Sequence, residues 1–275
     1  MSTEILELYP NAGQQHALQG LYLDQIPQNH EGRDPFIYSN YIASLDGRIA
    51  LPAAGRKTSQ VPPDIGNDRD WRLFQELAAQ ADLLITSGRY FRQTAAQEEQ
   101  AELPVGSAPE FADLREWRVQ RGMSPQPDIA IFSASLDIPI AAICRHADRN
   151  VHIITGANAD DSRLTRLVTG SHARAMHCGS GDHVDASLLR PRLADLGYRN
   201  VYAIAGPAVL HTLIAGDALD RLYLTTAHCL LGGTAFDTFV RGPQLKPARR
   251  MPLRAMYLDP LAPEDTGQTM AVYGR

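Results

Sequence analysis

With 275 residues, 44% of them hydrophobic, the chain can bury a substantial core as one large α/β domain or two small ones. Its 26 Lys and Arg against 31 Asp and Glu leave a net charge of −5, so no global basic field exists to gather nucleic acid or anionic lipid. The three cysteines, Cys144, Cys178 and Cys229, are scattered and lack a Cys-x-x-Cys pair, which speaks against a disulfide framework or a cysteine-rich zinc site. The opening MSTEILELYP lacks a basic-then-apolar leader pattern, and no apolar run approaches the ~20 residues of a membrane span. A cytoplasmic protein with neither a membrane nor a nucleic-acid partner is expected.

In chain order, strands are predicted at Phe36–Ser44, Leu83–Thr86, Ile129–Ser133, Val151–Thr155, Val201–Ala205 and Leu222–Thr226, each a short β-branched or apolar run. Between the first two, Trp71, Phe74, Leu77, Ala78 and Ala81 recur at helical spacing behind Asn67 or Asp68 as N-cap, so Asn67–Ala81 reads as a helix. Arg163–Val168 and Pro207–Ala215 read likewise. Ser187–Leu196 has the pattern of a helix that Pro191 must start, kink or end. Polar stretches at Gln93–Pro109 and Arg241–Pro247 are the most linker-like, and no internal repeat occurs. Strands alternating with helices imply an α/β fold with a mostly parallel sheet, whose ligands gather beyond the carboxyl ends of the strands.

Those ends carry glycine: Ser87-Gly88-Arg89, Thr155-Gly156, Gly206-Pro207 followed by a helix through Ala208 and Val209, and Gly232-Gly233. Glycine lets backbone approach a ligand, and amides at a helix start converge on phosphate. Together they point to a nucleotide cleft, although each glycine alone reads equally well as a turn. Gly179-Ser180-Gly181 lacks the third glycine and the acidic residue of the dinucleotide fingerprint. His172, His177, Cys178 and His183 are metal-ligand types in the wrong spacing for zinc, so no metal is expected.

Residues 39–50 read SNYIASLDGRIA, a strand running into an Asp-Gly turn. The run Ala43-Ser44-Leu45-Asp46-Gly47-Arg48-Ile49 resembles the first-strand signature of the pyrimidine reductases of riboflavin biosynthesis, a family with a dihydrofolate-reductase-like fold. LLITSGRYFR (83–92), PDIAIFSASLDIP (127–139), VHIITG (151–156) and IAGPAVLHTLIAGDALDRLYLTTAHCLLGG (204–233) are similar to that family's later segments in the same order, covering about residues 36–240. The resemblance implies a mostly parallel central sheet flanked by helices with an antiparallel C-terminal strand. It divides the chain into an N-terminal extension, 1–35, packed on a reductase domain, 36–275.

It also implies reduction of a small-molecule substrate by NADPH, with the protein binding and orienting both partners. Ser87, Gly88, Thr155, Gly156, Gly206, Pro207, Ala208 and Val209 are then the cofactor contacts, and Arg89 is the candidate for its 2′-phosphate. Asp46 is the candidate for orienting substrate, with Asn40 and Ser44 on the same side of the strand and Arg92 as a basic substrate contact. Asp46 reads alternatively as a plain Asp-Gly turn.

The chain departs from the family where substrate is held. The glutamate of the family's Glu-Gly-Gly-Pro turn falls on Ile204, or on Ala205 in a shifted register, and the Arg-Ala-Asp-Asp-Pro segment is replaced by YFRQTAAQEEQ. A divergent substrate is expected, the alternative being a non-catalytic pyridine-nucleotide-binding protein of the same fold. The deaminase signature is absent from the sequence. The resemblance further implies a homodimer, to which Leu222, Leu224 and Leu230 would contribute, and a cis peptide bond in the turn, at Ala205–Gly206 or, in the other register, at Gly206–Pro207.

Overall fold

Residues 36–44 alternate between two apolar layers, so this one strand seats helices on both its faces. The computed structural model describes residues 4–27, 34–52, 59–98, 102–262 and 266–275. In chain order its strands and helices are β1 (Glu4–Tyr9), β2 (Gln15–Ala17), β3 (Phe36–Ser44), β4 (Leu51–Pro52), β5 (Ser59–Gln60), α1 (Asp68–Ala79), β6 (Leu83–Ser87), α2 (Gly88–Ala95), α3 (Ala112–Gln120) and β7 (Asp128–Phe132). There follow α4 (Ile140–Cys144), β8 (Val151–Thr155), α5 (Asp161–Gly170), β9 (Arg174–His177), α6 (Leu189–Asp195), β10 (Asn200–Ala203), α7 (Pro207–Ala215), β11 (Arg221–Ala227), β12 (Leu253–Asp259) and β13 (Gln268–Gly274).

One eleven-stranded sheet runs β2-β1-β12-β13-β11-β3-β10-β6-β7-β8-β9. From β11 to β9 every pairing is parallel, and from β11 back to β2 every pairing is antiparallel. This is the α/β arrangement the motifs imply, but its antiparallel end is four strands rather than one. Two of those four, β1 and β2, come from the N-terminal segment, which Glu76 of α1 and its C-cap Gln80 also grip: Glu76 accepts the amides of Gly20 (2.6 Å) and Tyr22 (3.0 Å), and Gln80 that of Ile26 (3.1 Å).

The buried residues divide between the faces. On one, α1 packs on Tyr38, Leu84, Tyr202 and Tyr223, while Phe91 of α2 lies with Ile129, Ile131 and Ile153. On the other, α6 and α7 cover Ile37, Leu83, Ile85 and Val201. Asn67 caps α1 as expected, accepting the amides of Arg69 and Asp70. Pro191 lies in the first turn of α6, behind a 3₁₀ turn at Ala186–Leu188, where a proline is tolerated.

Two expectations are corrected. Both bonds of the turn, Ala205–Gly206 and Gly206–Pro207, are trans, the form that costs least, with Gly206 as the extended N-cap and Pro207 opening α7. Leu222 is 6% exposed in the core under α6 and α7, so its apolar surface is used within the chain and not by a partner.

Candidate functional site

Because β11, β3, β10, β6, β7, β8 and β9 are parallel neighbours, their carboxyl ends lie in that order along one edge. From β3 to β8 the edge spans four strand spacings, about 19 Å. The sequence-predicted residues fall along it: Asn40, Ser44 and Asp46 with β3, Gly206 to Val209 after β10, Ser87 to Arg92 after β6, and Thr155 with Gly156 at β8.

In the middle, two helices start from neighbouring strands on opposite faces of the sheet. α7 follows β10, α2 follows β6, these strands are adjacent, and neither helix has a capping side chain. Pro207 has no N–H, and the amides of Val209 and Leu210 turn back to the Gly206 carbonyl (3.0 and 3.3 Å), which leaves the Ala208 amide as the outward donor of α7. Both N-termini lack a capping side chain at this edge, a setting that favours an anion.

Thr155 and Gly156 are placed differently. Both are buried, and a Cβ on Gly156 would stand 2.1 Å from the Gly181 carbonyl oxygen and 2.6 Å from the Asp182 carbonyl carbon. The Gly156 carbonyl receives His177 Nδ1 at 3.0 Å, and Asn158 donates to Gly181 at 3.1 Å. The glycine here is required by the approach of the 179–183 loop.

At β3 the Asp46 carboxylate is taken up by its own turn. Ser44 Oγ donates to it, Gly232 N reaches Oδ2 at 2.8 Å, Leu231 N reaches Oδ1 at 3.4 Å, and Arg48 Nη1 lies 2.7 Å from Oδ2. The Ser44 hydroxyl and then the Gly232 amide hold Asp46 down to about 2, so it stays ionised and offers no proton near neutrality. Arg48 bridges on to the Gly233 carbonyl (3.0 Å) and covers the Phe236 ring (4.3 Å). Ser44 is buried in this network. Asn40 Oδ1 accepts the Tyr202 hydroxyl at 2.5 Å.

The residue that sequence reasoning passed over is Asp70. It lies in the first turn of α1, 8% exposed, hydrogen-bonded to Thr225 of β11 and close to Tyr22 and Tyr202. Burial pushes its carboxyl up to about 6, against the lowering by Thr225, and no cation offsets it among the described residues. Its signal was readable: Asp70 precedes Phe74 by four residues and Leu77 by seven, an acid on the apolar stripe of its helix. An acid in a first helical turn is ordinarily taken for a partner of the dipole. Beside it Trp71 and Phe74 stack at 4.7 Å, half-buried, with Phe74 5.5 Å from the Tyr202 ring.

The two arginines after β6 point apart. Arg89 Nη2 donates to the Ser59 carbonyl of β5 (3.1 Å), whereas Arg92 Nη1 donates to the Asp137 carbonyl (2.7 Å) in the loop after β7.

The family model for the RibD C-terminal domain matches residues 35–258. The chain belongs to that family. Among solved structures, the RibD-family chain is similar to a pyrimidine reductase-like protein from Corynebacterium diphtheriae, at 16% identity over 94% of this chain and 98% of that one, TM-score 0.66. It is also similar to the riboflavin biosynthesis reductase Rib7 of Saccharomyces cerevisiae, at 14% identity over 94% and 97% of the two chains, TM-score 0.56. Acinetobacter baumannii RibD matches at 16% identity with TM-score 0.55, covering 88% of this chain but 58% of that one. At these identities the likeness establishes the shared fold. No curated protein matches the sequence. No helix among the described residues is long and apolar enough to cross a membrane, and no His, Cys, Asp and Glu cluster there could hold a metal ion.

Proposed function

We propose that this RibD-family chain is an NADPH-dependent reductase of a small carbonyl or imine compound, related to the pyrimidine reductases but with a divergent substrate. The observation that carries the reading is the buried Asp70 carboxyl, poised near neutrality at the same strand edge as the uncapped starts of α2 and α7. Hydride reduction of such a compound also consumes a proton, and a carboxyl near 6 can hold and deliver one. The acid of the family's turn falls on Ile204, or on Ala205 in a shifted register, and neither can titrate, which leaves Asp70 as the carboxyl in this reading that can serve as proton source.

A bound nicotinamide dinucleotide would supply the hydride. Ser87, Gly88, Gly206, Pro207 and Ala208 would hold its phosphates, while Asn40, itself held by the buried Tyr202 hydroxyl, would orient the acceptor beside Asp70. Asp46 acts by positioning: it ties the β3 turn to Gly232 and so fixes the wall of the cleft. Self-association as a homodimer belongs to the same reading, resting on Leu230, which is 73% exposed; light scattering of a monomeric mass would remove it.

The deciding experiment is NADPH oxidation by the purified chain against pterins, pyrimidines and small carbonyl compounds. Turnover with one class, lost in Asp70→Asn, supports the reading. Nucleotide binding without turnover across the screen favours a non-catalytic nucleotide-binding protein, and robust complementation of a strain lacking the riboflavin reductase contradicts the divergent substrate.

A further inference from the structure

Past the starts of α2 and α7, beyond the end of β7, the surface opens into a groove of about 740 Å³ between α2, α5 and the 133–140 loop. Arg92, Arg163 and Arg166 line it, against one carboxylate, Asp137. Three guanidinium groups in one groove stand out on a chain whose net charge is −5.

Two of these arginines are oriented by backbone and only loosely paired. Arg92 donates to the Asp137 carbonyl at 2.7 Å while its Nε is 3.7 Å from that residue's carboxylate. Arg163 donates to the Ser135 carbonyl at 3.0 Å while its Nε is 3.5 Å from Asp160. The Arg166 guanidinium makes no hydrogen bond or ion pair among the described residues. The loop that aims Arg92 and Arg163 turns through Leu136 at φ +54°, a costly conformation for leucine, held by the Ser133 hydroxyl accepting the Leu136 amide at 3.0 Å.

We propose that this groove is a phosphate-monoester site, with Arg92, Arg163 and Arg166 as its cationic walls. Guanidinium groups match phosphate oxygens two at a time, and the groove's apolar floor of Ile138, Ile140 and Leu167 suits the ribose or base attached to such a phosphate. The position selects the source. The groove spans the ends of β6 to β8, two to four strands or roughly 10–19 Å from β3, and Asp70, bonded to Thr225 of β11, lies a strand further still, so a phosphate on a small substrate reduced beside Asp70 falls short of its far wall. The 2′-phosphate of the dinucleotide fits that distance. This choice of source rests on the reductase reading, whereas the charge and shape of the groove do not. It moves the 2′-phosphate from Arg89, which is turned toward Ser59, to the opposite wall, and takes Arg92 away from the substrate.

The test is calorimetric titration of the full-length chain and of an Arg163→Ala/Arg166→Ala double variant, both exposed positions whose folding is checked by thermal melting. The probes are NADPH, NADH, 2′,5′-ADP and ribose 5-phosphate. The expected result is a loss of about tenfold or more in affinity for NADPH and 2′,5′-ADP, with NADH unchanged. If the variant loses ribose 5-phosphate and keeps 2′,5′-ADP, the phosphate site stands and its source is the substrate. If the wild type binds 2′,5′-ADP but turns over no acceptor, the site stands and the reductase reading falls. Unchanged affinity of the variant for every phosphate compound, or equal losses for NADPH and NADH, overturns the proposal.

Discussion

Arg69 Nε meets Asp259 Oδ2 at 2.6 Å, joining the first turn of α1 to the end of β12. Asp259 is fully buried and its carboxylate also accepts Gln268 Nε2 at 3.2 Å, while Gln268 Oε1 receives Asn67, the cap of α1. The antiparallel end of the sheet therefore fixes where α1 begins, and Asp70 is the next residue along. Arg69→Ala leaves a buried carboxylate without the cation that pairs with it among the described residues. The expected outcome in urea unfolding is a loss of about 3 kcal/mol. Activity should fall at substrate levels where the intact protein is saturated, because Asp70 is no longer held in register.

Asp70→Asn should separate stability from function. The carboxyl is at about 6 in the folded chain against an ordinary value of 3.8, so the folded state keeps its proton where the unfolded state has lost it. Stability from this group is greatest below about pH 4, declines as the pH rises to about 6, and is flat above. The asparagine variant escapes that loss. At pH 7 it should be more stable than the parent by on the order of 2–3 kcal/mol, from linkage arithmetic. Its activity should drop about a hundredfold or more, the range lost with a positioned acid. In the parent, kcat/KM should fall as the pH rises through about 6, a limb missing from the variant. Equal stability of the two proteins across pH 4–8 would contradict the burial argument.

The parallel half of the sheet was legible except at its edge strand β9, RAMH, because its other strands are largely apolar runs followed by turn residues, as in VHIIT before Gly156 and NVYA ahead of Gly206. The antiparallel end was harder. Gln268–Gly274 and Leu253–Asp259 mix polar and apolar residues, and β1 is short and charged, so only pairing across the sheet tells them from loops. α2 opens on glycine without a side-chain cap, which hides its start. At the site, the residue types after each strand could be read. Which side chains face a ligand could not: Arg89 and Arg92 are three apart on one helix, yet reach opposite neighbours.

Asp46 is expected to act through Gly232. Its carboxylate is held at about 2, below the ordinary 3.8, so the stability it contributes is present above about pH 4 and is lost as the pH falls toward 2. In Asp46→Ala the Gly232 amide loses its acceptor and Arg48 loses its ion pair. Hydrogen exchange should then show the Gly232 amide unprotected, while the β3 and β11 core amides keep their protection. Asp46→Asn, which still offers an acceptor oxygen, should restore part of it. An unchanged Gly232 exchange rate in the alanine variant would remove Asp46 from its positioning role.

Gly156 and Gly206 both follow strands at the same edge, yet adding a methyl group to each should have opposite consequences. At Gly156 the new carbon would meet backbone atoms of Gly181 and Asp182 at 2.1–2.8 Å, and backbone cannot swing aside as a long side chain can. Gly156→Ala should cost about 1–3 kcal/mol through forced displacement of the 179–183 loop, with dinucleotide affinity little altered. At Gly206 the same carbon enters open space, and φ −71° suits alanine, so unfolding should shift by less than about 1 kcal/mol. In the proposed reading, phosphate reaches the Ala208 amide beside that open space. Gly206→Ala should therefore weaken dinucleotide binding about tenfold or more by holding phosphate away from the Ala208 amide. Loss of affinity at Gly156 with none at Gly206 would reverse the assignment and place the phosphates at the end of β8.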